Sequence, residues 1–113
     1  MIKIYHNPRC TKSRQGLALL EEKNQEIEVI KYLYNIPTEA ELKNIIKLLG
    51  IKPIALIRKN EAVWKEQFKG KDLSDNELIK AMVKNPKLIE RPIVIHGTKA
   101  VIGRPTNKIL DIL

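Results

Sequence analysis

Cysteine, aromatic residues and long apolar runs are all scarce in this sequence, and each shortage excludes a class of protein. Cys10 is the only cysteine among 113 residues, so no disulfide can form within the chain and we expect a reducing, cytoplasmic location. One cysteine and two histidines are a poor ligand set, which argues against a bound metal. No apolar run approaches the ~18 residues of a membrane span. The N-terminus has the pattern of a strand rather than of a signal peptide, so we expect no contact with a membrane.

Arginine is also scarce, although the chain carries a net charge of +8. Sixteen of the 21 basic residues are lysines, scattered along the chain, and only 4% of residues are aromatic. Nucleic-acid binding favours a concentrated basic stripe with interleaved aromatics, so we expect a solvated lysine surface instead. A planar guanidinium is suited to binding an oxyanion through paired hydrogen bonds. The few arginines lie beside the cysteine, before prolines or at the end of an apolar run: Arg9, Arg14, Arg58, Arg91 and Arg104.

Residues 2–30 have the pattern of a βαβ unit. Apolar residues alternate with polar ones over 2–5 and again over 26–30, which predicts two strands. Between them, residues 11–23 have helical spacing with leucines on the inward side, and Gly16 allows close packing near the start of that helix. Because such crossovers are right-handed and join parallel strands, we expect the two strands to be parallel.

The C-terminal part of the chain has the pattern of a ββα unit. Residues 93–95 are apolar, as in a buried strand, and residues 100–102 predict an antiparallel return strand. His96 lies in the predicted tight turn, where we expect it to face solvent. Pro105 is expected at the first position of a last helix. That helix carries three apolar residues: Ile109, Leu110 and Leu113.

Between these units, residues 38–90 predict a helical insertion. Residues 38–41 and 74–77 have the capping-box pattern, so we expect a helix to begin at each. Asn60 is expected to cap a further, lysine-rich helix that ends near residue 68. The order predicts an α/β fold with a small mixed four-stranded sheet flanked by helices. We expect residues 1–113 to form a single domain.

Cys10 lies at the predicted junction of strand, loop and helix. The free N–H groups and positive dipole of a helix N-terminus lower the pKa of a thiol there, which favours a nucleophile. The alternative is a small, buried and unreactive cysteine. The Ser13 hydroxyl is placed to hydrogen-bond the thiolate, and His6 is either a polar strand-end residue or an imidazolium that lowers the thiol pKa further. The anion-binding loop of cysteine phosphatases requires arginine at the sixth position after the cysteine. In this chain Gly16 occupies that position, so this loop is excluded.

Arg58, Arg91 and Arg104 form a candidate anion clamp. Each follows or precedes a predicted element, at the point where loops converge on the edge of a sheet. The alternative for each is an ordinary surface ion pair. Because a guanidinium presents two parallel N–H groups, three such groups near a thiolate would bind a tetrahedral oxyanion.

The sequence resembles the arsenate reductases of the ArsC type, which are coupled to glutathione and glutaredoxin and have a thioredoxin-like (glutaredoxin-like) fold. It is similar to a shorter branch of that family, which lacks the C-terminal extension of some members. Four segments carry the resemblance, in the family's order and over nearly the whole chain: Ile4-Tyr5-His6-Asn7-Pro8-Arg9-Cys10 with Ser13-Arg14, Leu56-Ile57-Arg58-Lys59-Asn60, Arg91-Pro92-Ile93-Val94, and Arg104-Pro105 with Ile109-Leu110-Asp111-Ile112-Leu113.

The resemblance implies a role for each matching residue. Cys10 would be the nucleophile that attacks arsenate. Three arginines would bind the arsenate oxygens and the arsenic–thiol intermediate: Arg58, Arg91 and Arg104. Three residues would stabilise the Cys10 thiolate: His6, Ser13 and Arg14. In thioredoxin-like folds the proline at the start of the third strand is cis and faces the cysteine, so Pro92 is the candidate.

The resemblance also implies partners. A glutathione thiol would attack the Cys10–arsenate adduct, and glutaredoxin would complete the reduction to arsenite, with no bound cofactor. The residues themselves agree on one point, since a chain with one cysteine must take its reductant from outside. We expect a monomer. Many relatives of this type have glycine and threonine after the cysteine, where this chain has Thr11 and Lys12, which changes how an oxyanion approaches the helix.

A second hypothesis is a thiol-based transcriptional regulator of the Spx type, which shares the fold and binds RNA polymerase. Such regulators use a Cys-x-x-Cys redox switch. In this chain Ser13 takes the place of the second cysteine, and all three clamp arginines are present, so the enzyme is favoured. A third hypothesis, a binding module without redox activity, requires Cys10 to be buried and unreactive.

Overall fold

Four short strands form a mixed sheet in the order β2-β1-β3-β4. The strands are β1 (Ile2–Tyr5), β2 (Ile27–Ile30), β3 (Ile93–His96) and β4 (Lys99–Ile102). β1 is parallel to β2 and antiparallel to β3, and β3 is antiparallel to β4. The predicted mixed sheet, with a parallel βαβ unit and an antiparallel hairpin, is confirmed.

In the computed structural model, residues 1–23 and 25–113 are described, and the chain divides into two units. The first comprises Met1–Asn35 and Arg91–Leu113, and the second comprises Ile36–Glu90. The second unit has nearly the same limits as the predicted helical insertion. No helix in the described ranges is long and apolar enough to cross a membrane.

The core of the first unit joins the sheet to helix α1 (Thr11–Glu22) and to a terminal 3₁₀ helix (Thr106–Ile112). Alternate residues of a strand face the same side, so β1 contributes its first and third residues to one cluster. The buried members of this cluster are aliphatic: Ile2, Ile4, Leu20, Val94, Ile109 and Ile112. The backbone of α1 approaches the cluster closely at Gly16, where an added Cβ would lie 3.0 Å from Cγ of Pro92.

The C-terminal segment differs from its prediction. Pro105 lies at the N-cap, one residue before the first helical position, and its peptide bond is cis. A 3₁₀ helix has three residues per turn, so residues three apart share a face. Ile109 and Ile112 are therefore buried. The other two apolar residues named for the predicted helix, Leu110 and Leu113, are exposed.

The β3–β4 hairpin turns at Gly97 and Thr98. Gly97 has φ of +64°, a conformation in which a residue without Cβ is favoured. His96 is the last residue of β3 rather than part of the turn, and its Nδ1 lies 2.6 Å from the carbonyl oxygen of Ile112. The expected solvent role of His96 is therefore wrong, since the side chain binds the C-terminal segment.

The second unit is helical. It contains α2 (Glu39–Leu49), α3 (Ala62–Gln67) and α4 (Asp75–Lys84), with 3₁₀ turns at Pro53–Leu56 and Pro86–Leu88. Helices α2 and α4 pack against each other and supply buried leucine, isoleucine and methionine side chains. This core explains why two short amphipathic helices are stable here, since isolated helices of this length are marginal in water.

Both predicted capping boxes are present. Thr38 accepts a hydrogen bond from the backbone N–H of Glu41, whose carboxylate accepts one from the N–H of Thr38, and Ser74 and Glu77 repeat this arrangement. The third predicted cap is wrong. Helix α3 begins after Glu61 rather than Asn60, and no side chain caps it.

Candidate active site

The loop that joins β1 to α1 places Cys10 at the N-cap of the helix. Its backbone is extended, and its carbonyl oxygen accepts the first helical hydrogen bond, from the N–H of Arg14 at 3.0 Å. The residue is half-buried. The predicted strand–loop–helix junction is confirmed, and a thiol there faces the unsatisfied N–H groups of the first helical turn.

Asn7 makes three of the hydrogen bonds that shape this loop. Its carbonyl oxygen accepts from the N–H of Cys10, and its side-chain Oδ1 accepts from the N–H of Arg9, each at 3.0 Å. Its own N–H donates to Ser13 Oγ, also at 3.0 Å. Asn7 is 8% exposed. Sequence reasoning missed this residue, although an asparagine two residues before a turn is a known signal for such a side-chain-to-backbone bond.

The Ser13 side chain does not have the expected partner. It is fully buried, and its Oγ lies 2.7 Å from Nδ1 of His6 while accepting the N–H of Asn7. The bond between Oγ and Nδ1 is donated by whichever of the two atoms carries the proton, which the tautomer of the imidazole decides. Ser13 acts on Cys10 through its backbone N–H instead.

The surroundings of His6 lower its pKa, which disfavours the imidazolium, one of the two alternatives for this residue. It follows β1 directly and is 5% exposed. Burial lowers the pKa of His6, the nearby positive charges of Lys31 and Arg14 lower it further, and the hydrogen bond to Ser13 opposes them. The neutral imidazole supports the loop through its hydrogen bond to Ser13 but adds no positive charge beside the thiol.

Two arginines meet at the Cys10 sulfur. Arg104 Nη2 donates to Cys10 Sγ at 3.5 Å, while its Nε donates to the carbonyl oxygen of Arg91 at 2.8 Å. The Arg91 guanidinium also hydrogen-bonds Cys10. The Arg91–Pro92 peptide bond is cis, as expected. The N–H of Gly103 donates to the Pro92 carbonyl at 2.9 Å, so the two arginine-bearing segments are hydrogen-bonded to each other.

The pKa of the Cys10 thiol is lowered. The largest single influence is burial, which raises the pKa because it disfavours the charged form. The N–H groups of Ser13 and Lys12 and the Arg91 guanidinium together outweigh it. Lys12 thus contributes through its backbone N–H group.

Arg14 lies on the exposed side of the loop. Its guanidinium donates to the carbonyl oxygen of Pro8 at 3.2 Å and lies 3.4 Å from Oγ1 of Thr11. These bonds connect the loop to the first turn of α1. Arg14 therefore supports the loop around Cys10 from its exposed side, and Thr11 is one of its partners.

Arg58, the third predicted clamp residue, belongs to the second unit. Its Nη1 donates to Glu90 Oε1 at 2.7 Å, and its Nε lies 3.6 Å from a carboxylate oxygen of Glu61. Its backbone N–H donates to the carbonyl oxygen of Leu88. Within this unit the Arg58 side chain is thus part of an ion-pair network with two carboxylates.

The first unit brings together a thiol of lowered pKa, helix N–H groups and two guanidinium groups. In the described part of the chain, no group of three or more histidine, cysteine or acidic residues could hold a metal. The arrangement suits nucleophilic attack on an oxyanion, since the arginines offset the charge repulsion between thiolate and anion.

A model of the ArsC family matches residues 5–112. The chain belongs to the ArsC family. It is 46% identical to the arsenate reductase of Haemophilus influenzae, over 97% of each chain. It is 47% identical to a protein of Escherichia coli K12 named "Uncharacterized protein YfgD", over 99% of this chain and 96% of that one.

The solved structures agree with this membership. The arsenate reductase of Vibrio cholerae is 46% identical and superposes with a TM-score of 0.95, over 99% of this chain and 97% of that one. The fold of this ArsC-family chain is therefore the thioredoxin-like fold that the family resemblance implied. The match from residue 5 to residue 112 includes every residue proposed for the site.

Proposed function

We propose that this protein reduces arsenate to arsenite, with glutathione and glutaredoxin as the source of electrons. The observation that carries the proposal is the Cys10 sulfur within hydrogen-bond distance of Arg104 and in contact with the Arg91 guanidinium. The names of relatives such as the Haemophilus influenzae arsenate reductase support arsenate as the substrate.

In the first step, the Cys10 thiolate attacks arsenic(V) and forms an S–As bond. One arsenate oxygen leaves as water, with both protons taken from the arsenate monoanion. Arg91 and Arg104 bind the remaining oxygens, where negative charge accumulates. Burial of the sulfur strengthens these electrostatic interactions, because fewer water molecules screen them.

External thiols complete the reaction. A glutathione thiol attacks arsenic in the Cys10 adduct and displaces a second oxygen as water. A glutaredoxin thiolate then attacks the glutathione sulfur, so a mixed disulfide leaves and the S–As electron pair stays on arsenic as arsenic(III). Water hydrolyses the remaining S–As bond, which releases arsenite and restores the Cys10 thiol. The two electrons thus come from glutathione and glutaredoxin, since Cys10 is the only thiol in the chain.

We also propose supporting roles for the remaining site residues. His6 and Ser13 maintain the loop through their buried hydrogen bond, and Arg14 connects the loop to the helix. Because the family resemblance implies it, we propose Arg58 as a third ligand for arsenate oxygens. Its Nη1 and Nε face Glu90 and Glu61, so its other N–H groups would bind the anion.

The test is an assay of purified protein with arsenate, glutathione and glutaredoxin, in which arsenite is measured by chromatography with arsenic detection. We expect arsenite only in the complete mixture, and none with Cys10→Ser. Arg104→Lys should lower turnover by about 100-fold, because lysine cannot bond the sulfur and the Arg91 carbonyl at once. Arg9→Lys is the matched control, since Arg9 is exposed. Activity that survives Cys10→Ser would rule out the mechanism.

A regulator of the Spx type is the competing function. The second position of its dithiol is occupied by Ser13, whose buried hydroxyl binds His6 and Asn7. The regulator hypothesis would replace the reductase hypothesis if the complete assay gave no arsenite while the immobilised protein bound RNA polymerase from a defined mixture.

A further inference from the structure

The second unit contains a cationic cavity that plays no part in the chemistry of Cys10. It lies among α3, the segment that follows it and the start of α4, and it has a volume of about 740 Å³. Small-molecule sites have volumes of ~300–1,000 Å³. The cavity is therefore large enough for a ligand of the size of a nucleotide.

The charges around this cavity are unbalanced. Five lysines line it and two aspartates, Asp72 and Asp75, offset them only in part. In the described part of the chain, none of these lysines has a carboxylate within ion-pair distance. The lysines are Lys52, Lys59, Lys65, Lys69 and Lys71. These five lysines are exposed, so their side chains are accessible to a ligand in solution. An anion with several charges can neutralise several of them at once.

The lining also has an apolar part. Trp64 and Leu78 are buried and line the cavity with Ile54 and Leu73. Trp64 is stacked on Phe68, with ring centroids 5.7 Å apart, so its position is fixed. A ligand that joins charged groups to an apolar or planar body can bind to both parts of this lining.

We propose that this cavity binds an organic polyphosphate, a chain of phosphate groups joined to an apolar or planar body. Lysine is suited to phosphate as a compact point charge with three donors. The five lysines line one cavity, which favours a small ligand over a nucleic-acid strand. This site is independent of the proposed reductase activity.

Trp64 is the only tryptophan of the chain, so its fluorescence reports on this cavity alone. Inorganic triphosphate, pyrophosphate and phosphate are titrated first, since none of them absorbs near the tryptophan band. We expect a saturable change that is tightest for triphosphate and weakens as salt rises. Calorimetry with ATP then tests the contribution of the organic body. ATP should bind more tightly than inorganic triphosphate, with one ligand per chain.

Matched variants locate the site. Lys65→Gln with Lys69→Gln should weaken triphosphate binding about tenfold, which corresponds to about 1.4 kcal/mol. Lys80→Gln with Lys84→Gln removes the same charge from α4 outside the cavity and should leave binding nearly unchanged. Equal losses in the two double variants would overturn the proposal, because binding would then follow net charge alone. So would the absence of saturable binding at millimolar triphosphate, or tighter binding of a single-stranded oligonucleotide than of ATP.

Discussion

At Cys10, the helix N-terminus and a guanidinium act on the same sulfur. The pKa of this thiol is lowered, so the thiolate persists as the pH falls below the ordinary thiol range. We predict that the rate of alkylation by iodoacetamide stays high below the ~8.5 of a free thiol. The rate should fall only as the pH passes through the lowered pKa.

Two arginine variants test the cause of the lowered pKa, and Arg9, which directly precedes Cys10 in the sequence, provides the control. Arg91→Gln removes a hydrogen bond and a positive charge from the thiolate and should raise the alkylation midpoint. Arg9→Gln removes the same charge from an exposed side chain and should shift the alkylation midpoint much less. A wild-type midpoint at or above the free-thiol value would contradict the nucleophile assignment.

Asn7 is predicted to be a positioning residue for Cys10. Asn7→Leu has a similar size but lacks the oxygen that accepts the Arg9 N–H, so the loop should lose its fixed geometry. We expect a raised alkylation midpoint and a slower reaction of the thiolate itself. The pH profile of alkylation measures both quantities.

A conservative variant separates positioning from folding. Asn7→Ser keeps a short side-chain acceptor for the same kind of turn and should restore part of the low midpoint. Thermal unfolding of both variants gives their stability. If Asn7→Leu loses stability but keeps the wild-type pH profile, the residue is structural only.

Residue-scale prediction succeeded where one local feature decides the outcome. The position of Cys10 at a helix start follows from the strand and helix patterns around it. The lowered pKa of His6 does not follow from its local sequence, because it depends on burial and on Lys31, which directly follows β2. The orientation of the Ser13 hydroxyl likewise depends on His6 and on the N–H of Asn7, which only the folded loop brings together.

At the scale of elements, the Pro92 ring lies between two glycines. A Cβ at Gly16 would lie 3.0 Å from Cγ of Pro92, and one at Gly103 would lie 2.9 Å from the same atom. We predict that Gly16→Ala destabilises the protein by about 1 kcal/mol, because overpacking costs ~1–3 kcal/mol. That cost exceeds the ~1 kcal/mol that alanine gains over glycine within a helix.

Ala18→Gly measures the difference in helix propensity between alanine and glycine in the same helix, since Ala18 is exposed on α1. It should cost about 1 kcal/mol, which is the propensity difference alone. Denaturant unfolding of both variants gives the comparison. A Gly16→Ala variant more stable than wild type would show that the ring moves aside without cost.

Elements with complete local signals were predicted well. Both capping boxes are contained in four consecutive residues, and both are present. The cap expected at Asn60 and the place of Pro105 in the last helix were each wrong by one residue. In the last segment, contact with the sheet selects a 3₁₀ helix with Ile109 and Ile112 inward, a tertiary preference that spacing alone does not contain.

At the scale of the whole molecule, the sequence order constrains the sheet strongly. A βαβ unit followed by a hairpin leaves few arrangements, and the observed order β2-β1-β3-β4 is one of them. The meeting of Arg91 and Arg104 with Cys10 follows from that topology, since both precede or follow strands of the hairpin. The partners of Arg58 were not predictable, because Glu90 and Glu61 become its neighbours only through the packing of the second unit.

The chain contains one thiol, which limits the redox chemistry that it can carry out without an external reductant. Reduction of arsenic(V) to arsenic(III) needs two electrons, which two thiols supply by forming a disulfide. We predict that protein in stoichiometric excess over arsenate, without glutathione, forms no arsenite, as measured by arsenic speciation after acid quench. Glutathione and glutaredoxin added to the same sample should then yield arsenite up to the amount of arsenate supplied. Arsenite formed by the protein alone would mean that two chains join through their Cys10 sulfurs, and covalent dimers on a non-reducing gel would identify that route.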